Sequence, residues 1–169
     1  MSYTTILSVF PNVSVNEEME LRNGWLTAPI IWNFLTKTYL NKSNFMMVGD
    51  NAKELWALHL DERVPEHQRN VLKITFDRWY IVEADYKRAA QDIRLTIADI
   101  EKTGEMIGHW PMIADFLEGK LDLKPHFPAV GFHWTSVSEN PFYAQSSQDE
   151  DEVSPTVDWE ATTQLYGEE

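Results

Sequence analysis

The stretch Val71-Leu72-Lys73-Ile74-Thr75-Phe76-Asp77-Arg78-Trp79-Tyr80-Ile81-Val82 decides the fold, because eight of its twelve residues are apolar and they fit two incompatible periodicities. Val71 to Phe76 alternates as a strand does, Trp79 to Val82 is rich in β-formers, and Asp77-Arg78 between them can turn. The same residues also join a helical stripe. Leu72, Trp79, Tyr86, Ile93 and Ile100 recur every seven residues, and Phe76, Ala90 and Ile97 each follow a member of that set by four. From Glu66 to Thr103 there is neither Gly nor Pro, while Pro65 stands at the start and Gly104 just past the end, the asymmetry of helix termini. Asp-Arg lacks the positive-φ residue that tight hairpins prefer. The stripe therefore predicts one continuous helix over about 66–102, on the order of 55 Å long, with 71–82 at the centre of the core.

Working outward, Thr4 to Phe10 reads as extended, and Pro11-Asn12 supplies turn chemistry before Val13-Ser14-Val15, so a small N-terminal hairpin is expected. Thr27 and Pro29 open a helix over about 28–40, Asp50 opens another running to about Leu60, and Pro111 to Glu118 forms a last short one closed by Gly119. The expected fold is mainly α, a helical bundle around the 66–102 helix. Pro125, Pro128, Gly131, Pro141 and Pro155 then punctuate a polar stretch, which places a helical domain at 1–139 and an irregular acidic tail at 140–169.

Composition narrows the function classes. With 43% hydrophobic and 12% aromatic residues the chain can build a core unaided, and without cysteine it has no disulfide, thiolate metal site or thiol nucleophile. No secretion signal opens the chain and no apolar run reaches the roughly 18 residues that span a bilayer, so a cytoplasmic location is expected. The net charge of −13 is lopsided: residues 1–124 hold all 14 Lys and Arg with 18 of the 27 acids, whereas 125–169 hold nine acids and no base. Such a field repels phosphate backbones and anionic lipid, and attracts basic surfaces.

Candidate chemistry is sparse. His59, Asp61, Glu62, Glu66 and His67 cluster, but Pro65 interrupts them and no His-Glu-x-x-His or Glu-x-x-His pair is present. His126 and His133 lie among Phe127, Phe132 and Trp134, as if to line a pocket or cap the core, and His109 precedes Trp110 in the same manner. Asp85, Asp92 and Asp99 recur every seven residues as a carboxylate row along one helix edge. Glu17 and Glu20 form a lone Glu-x-x-Glu, and no phosphate-binding glycine loop or nucleophile elbow occurs. No catalytic residue, metal or cofactor is assigned.

The tail has the stronger claim. Asp149, Glu150, Asp151, Glu152, Asp158 and Glu160 are interleaved with Phe142, Tyr143, Trp159 and Tyr166, so that charge steers and rings hold. The expected function is a non-catalytic acidic interaction or inhibitor protein, binding a basic partner through these residues and the row of Asp85, Asp92 and Asp99. A nucleic-acid-binding protein is the natural target, because carboxylates can occupy its phosphate-binding groove, the logic of phage anti-defence and bacterial immunity proteins. The rivals are a metal-dependent hydrolase built on 59–67 and a structural subunit of a larger assembly.

Overall fold

The computed structural model describes residues 3–42, 50–134, 141–143 and 157–167. Strands β1 (Tyr3–Phe10) and β2 (Ser14–Arg22) form the expected hairpin, with Asn12 taking the left-handed conformation (φ 65°) that its turn requires. Helix α1 (Ala28–Leu35) is entered through Pro29 and continues as a π-turn over Thr36–Leu40. Helix α2 (Asp50–Ala57) ends in a 3-10 turn over Leu58–Leu60. Helix α5 (Trp110–Leu117) stands where Pro111 places it.

The single helix over 66–102 does not form, and the protein is not a mainly α bundle. Helix α3 (Glu66–Ile74) stops at Thr75, strand β3 occupies Trp79–Val82, and helix α4 (Tyr86–Glu101) follows. The chain breaks at Asp77-Arg78, where Arg78 N–H donates to the Phe76 carbonyl at 2.7 Å. Neither local reading of 71–82 holds throughout, since its first part is helix and its last part strand. Part of the stripe stays buried after losing its common helix: Leu72, Ala90, Ile93, Ile97 and Ile100 are core, whereas Phe76, Trp79 and Tyr86 are half-buried at its margin. Pairs such as His67 with Asp99 and Asn70 with Asp92 show α3 and α4 folded back side by side in opposite directions.

What breaks the helix is the sheet. Its order is β2-β1-β4-β3-β5, with β4 spanning Ala129–His133 and β5 spanning Thr163–Gln164. All neighbours are antiparallel except β3 and β5. Every residue of β4 is buried, so its amides need strand partners on both sides. β1 serves one side, matching Ile6 to Phe132 and Ser8 to Val130, and β3 serves the other, matching Ile81 to Val130. The β-rich run 79–82 supplies that ladder.

Helices cover one face of the sheet, where Ile6, Ile81, Val130 and Phe132 join the main core. Trp110 and Trp134 are the largest fully buried side chains among the described residues, stacked at 5.3 Å, and their indole N–H groups donate to the Thr27 and Ile74 carbonyls at 2.9 and 2.7 Å. The other face carries Leu7, Val9 and Ala129, and it is covered by Phe142 with Val157 and Trp159 packed alongside. The 140–169 region thus contributes both a strand and the cover of one sheet face. Gly131 makes room for that cover: a Cβ there would lie 3.0 Å from the Phe142 ring and 3.1 Å from Val9.

Gly131→Ala is accordingly expected to lower stability by about 1–3 kcal/mol through overpacking, as read by urea unfolding. In the Phe142→Ala background the same change should cost markedly less, because the clash partner is gone; additive costs in this double-mutant cycle would contradict the packing described.

Candidate functional site

The expected carboxylate row lies mostly at the seam between α3 and α4. Asp92 Oδ2 accepts hydrogen bonds from Asn70 Nδ2 at 2.9 Å and from the Tyr166 hydroxyl at 2.6 Å. Asp99 Oδ2 accepts from Gln68 Nε2 at 2.8 Å and lies 2.6 Å from His67 Nε2, and Gln68 in turn accepts from the Tyr39 hydroxyl at 2.7 Å. Burial pushes the Asp99 carboxyl up, but the bonds from His67 and Gln68 outweigh it and hold the group below its ordinary range. Asp85 is half-buried in the 3-10 turn that enters α4. Asp92 and Asp99 therefore work within the fold, tying the two halves of the expected long helix together.

Of the tail residues, Asp149, Glu150, Asp151 and Glu152 lie outside the described residues. Both flanks of the 144–156 connection that carries them are described, and they are joined: Asp158 N–H donates to the Pro141 carbonyl at 2.7 Å. Beyond this clamp, Thr163 N–H donates to the Arg78 carbonyl at 2.7 Å and Leu165 N–H to the Tyr80 carbonyl at 2.8 Å, which lays β5 along β3. Leu165 is buried, Trp159 packs on the second core, and Tyr166 packs on the first with the Arg88 guanidinium 4.2 Å from its ring centre. Burial, then the bond to Asp92, pushes the Tyr166 phenol far up. The rings of Trp159 and Tyr166 thus face the body of the protein, whereas Asp158 and Glu160 are exposed and have no ion pair among the described residues. An acidic face with its aromatic residues turned inward is the arrangement the segment presents.

The 59–67 group is dispersed. His59 stacks on Trp56 with ring centres 4.0 Å apart and its Nδ1 meets the Trp56 carbonyl; Asp61 holds Arg63 at 2.6 Å; Glu66 faces Arg88 at 3.6 Å; His67 belongs to Asp99. Among the described residues no set of three or more His, Asp or Glu is placed to hold a metal. His109 Nε2 lies 3.0 Å from the Arg22 carbonyl, at the entry to α5. His133 is buried in β4 with its ring edge-on to Tyr3, whereas His126 lines a concave surface. No helix of the described residues is long and apolar enough to cross a membrane.

One residue that sequence reasoning passed over organises that surface. In the β1–β2 ladder Ile6 pairs with Met19 and Leu7 with Glu17, so Glu18 is the extra residue of a β-bulge. The bulge turns its side chain inward until it is only 2% exposed. Its Oε1 accepts from Ser8 Oγ at 2.5 Å, Asn16 Nδ2 at 3.1 Å and the His126 backbone N–H at 2.7 Å. Burial pushes this carboxyl up; the His126, Ser8 and Asn16 bonds together bring it below its ordinary range. Glu18 thereby anchors the loop before β4 to the hairpin. The adjacent Glu17-Glu18 in an otherwise alternating strand was the only hint of it.

That loop walls a cavity of about 640 Å³ between the start of α4 and the end of α5. On the α5 side Glu118 accepts from Arg94 Nε at 2.9 Å and pairs with Lys120 at 2.6 Å, and these cations hold its carboxyl down at about 2. Arg94 also grips Asp115 at 2.5 Å.

No family model, no curated protein and no solved structure matches the chain.

Glu18, Asp99 and Glu118 all ionise more readily folded than unfolded, so the stability they add is complete above about pH 5 and drains away as pH falls towards about 2. Arg94→Met removes the principal cation from Glu118 and Asp115. Its urea midpoint is expected to fall less than that of the wild type between pH 7 and pH 2.5; parallel pH profiles would show that these carboxylates do not carry the acid sensitivity.

Proposed function

We propose that the protein is a non-catalytic, acidic interaction protein that binds a basic surface of a partner protein, and that the partner is a nucleic-acid-binding protein. Carboxylates centred on the 144–156 connection make the contact. The observation that carries this reading is the clamp between Pro141 and Asp158. It joins the two described flanks of the most acidic part of the chain, while Phe142, Trp159, Leu165 and Tyr166 take their places against the body.

Fixing the ends of a charged segment lowers the entropy it loses on binding, which is how preorganisation strengthens association. Charge of one sign, with no base of the chain within 125–169 to neutralise it, speeds encounter with an oppositely charged patch. The segment's rings contribute to its anchoring, so the partner contact rests on carboxylates and is governed by salt. A basic groove built for phosphate is the surface that accepts several carboxylates at once. We place this interaction in the cytoplasm, where a chain without thiols has no use for an oxidising environment.

The test compares two fourfold amide variants with the same net charge. One carries Asp149→Asn, Glu150→Gln, Asp151→Asn and Glu152→Gln; the other carries Glu20→Gln, Glu62→Gln, Glu101→Gln and Asp122→Asn on exposed sites elsewhere. Affinity capture from the native host is expected to recover a basic protein, to lose it between roughly 0.1 and 1 M salt as the screening length shrinks, and to lose it with the loop variant only. Capture indifferent to salt, or equal for both variants, would overturn the reading.

A further inference from the structure

The cavity beside α4 has a chemistry at odds with the rest of this acidic chain. Its apolar wall is built from Phe116, Leu117, Leu123, Pro125 and Phe127. Two lysines line it, Lys87 from the first turn of α4 and Lys124 from the loop, and neither has an ion pair among the described residues. Two acids also line it. Glu118 is already neutralised in place by Arg94 and Lys120, which leaves the exposed Glu83 against two unpaired ammonium groups. In a protein of net charge −13, two lysines without an ion pair among the described residues set this apolar wall apart.

A further feature marks the wall. Tyr86 contributes to the lining, and its hydroxyl, closed off from solvent, has no hydrogen-bond partner among the described residues. Burial, with Glu83 and Glu18 adding to it, pushes that phenol up to about 12, so it stays a neutral donor at physiological pH. The wall is also held in place: Glu18 grips the His126 backbone at 2.7 Å, and Glu83 N–H donates to the Pro128 carbonyl at 3.0 Å. A volume of about 640 Å³ is within the usual range of small-molecule sites.

We propose that this cavity binds a small apolar monocarboxylate, with its hydrocarbon or ring against Phe116, Leu117, Leu123 and Phe127 and its carboxylate between Lys87 and Lys124. None of its described lining residues belongs to the acidic 144–156 segment, and its occupant differs in kind from a basic protein. Apolar walls supply the binding energy, and the two ammonium groups select the sign of the head group. A polyphosphate is disfavoured, because the site has two cations and hydrophobic walls in a chain of net charge −13. A cationic amphiphile meets Lys87 and Lys124 directly.

The test is calorimetric titration of the full chain with three eight-carbon probes: octanoate, 1-octanol and octylammonium. Octanoate is expected to bind saturably at one site and at least about tenfold more tightly than octylammonium. The exposed double substitution Lys87→Gln with Lys124→Gln should weaken octanoate by about tenfold and leave octanol unchanged. Leu123→Trp, which fills the cavity, should abolish binding of both; the lysine variant keeps the test decisive if the tryptophan variant fails to fold. The proposal is overturned if octanoate gives no saturable heat, if octylammonium binds equally well, or if the lysine variant binds octanoate like the wild type.

Discussion

The backbone of β4 is the constraint from which the rest of the structure follows. All of Ala129–His133 is buried, and a peptide group so far from water must find its hydrogen bonds within the protein. β1 satisfies one side of β4. On the other side only a second extended segment suffices, and Trp79–Val82 fills the place. That requirement divides an apolar stripe of helical period into α3, β3 and α4. The lost helical turns are replaced by a sheet ladder and by polar ties across the seam, from Asn70 to Asp92 and from Gln68 to Asp99.

A sheet with helices on one face has another face to cover, and here the C-terminal region covers it. Phe142 seats over Gly131, Trp159 packs beside it, and β5 extends the sheet past β3. Rings that an acidic segment would offer to a partner are used instead to fasten the segment down. Exposed carboxylates such as Asp158 and Glu160 remain outside, at the foot of a connection whose two ends meet. Charge is thus directed outward and aromatic surface inward.

The far side of the hairpin shows the same economy with polar groups. One extra residue in β2 turns Glu18 from a surface acid into a buried acceptor for three donors, and the loop it holds becomes a cavity wall. Arg94, bridging Asp115 and Glu118, ties α4 to α5, and together with Lys120 it offsets the negative charge of the opposite wall. Lys87 and Lys124 line the same cavity without an ion pair among the described residues.

Local signals in the sequence were sufficient wherever a single segment determines its own shape. The hairpin at Pro11-Asn12, the helices opened by Pro29, Asp50 and Pro111, and the burial of Leu72, Ile93 and Ile100 are all legible, because turn chemistry, capping and apolar period act over a few residues. The lopsided charge is equally plain from composition. Segment 71–82 was not decidable in this way, since its period suits a helix and its last four residues suit a strand; the unpaired edge of β4, some fifty residues away in sequence, chose between them. Glu18, the cavity and the inward turn of Trp159 and Tyr166 were hidden for the same reason. Each depends on a partner distant along the chain, and only the folded structure brings those partners within hydrogen-bonding or packing distance.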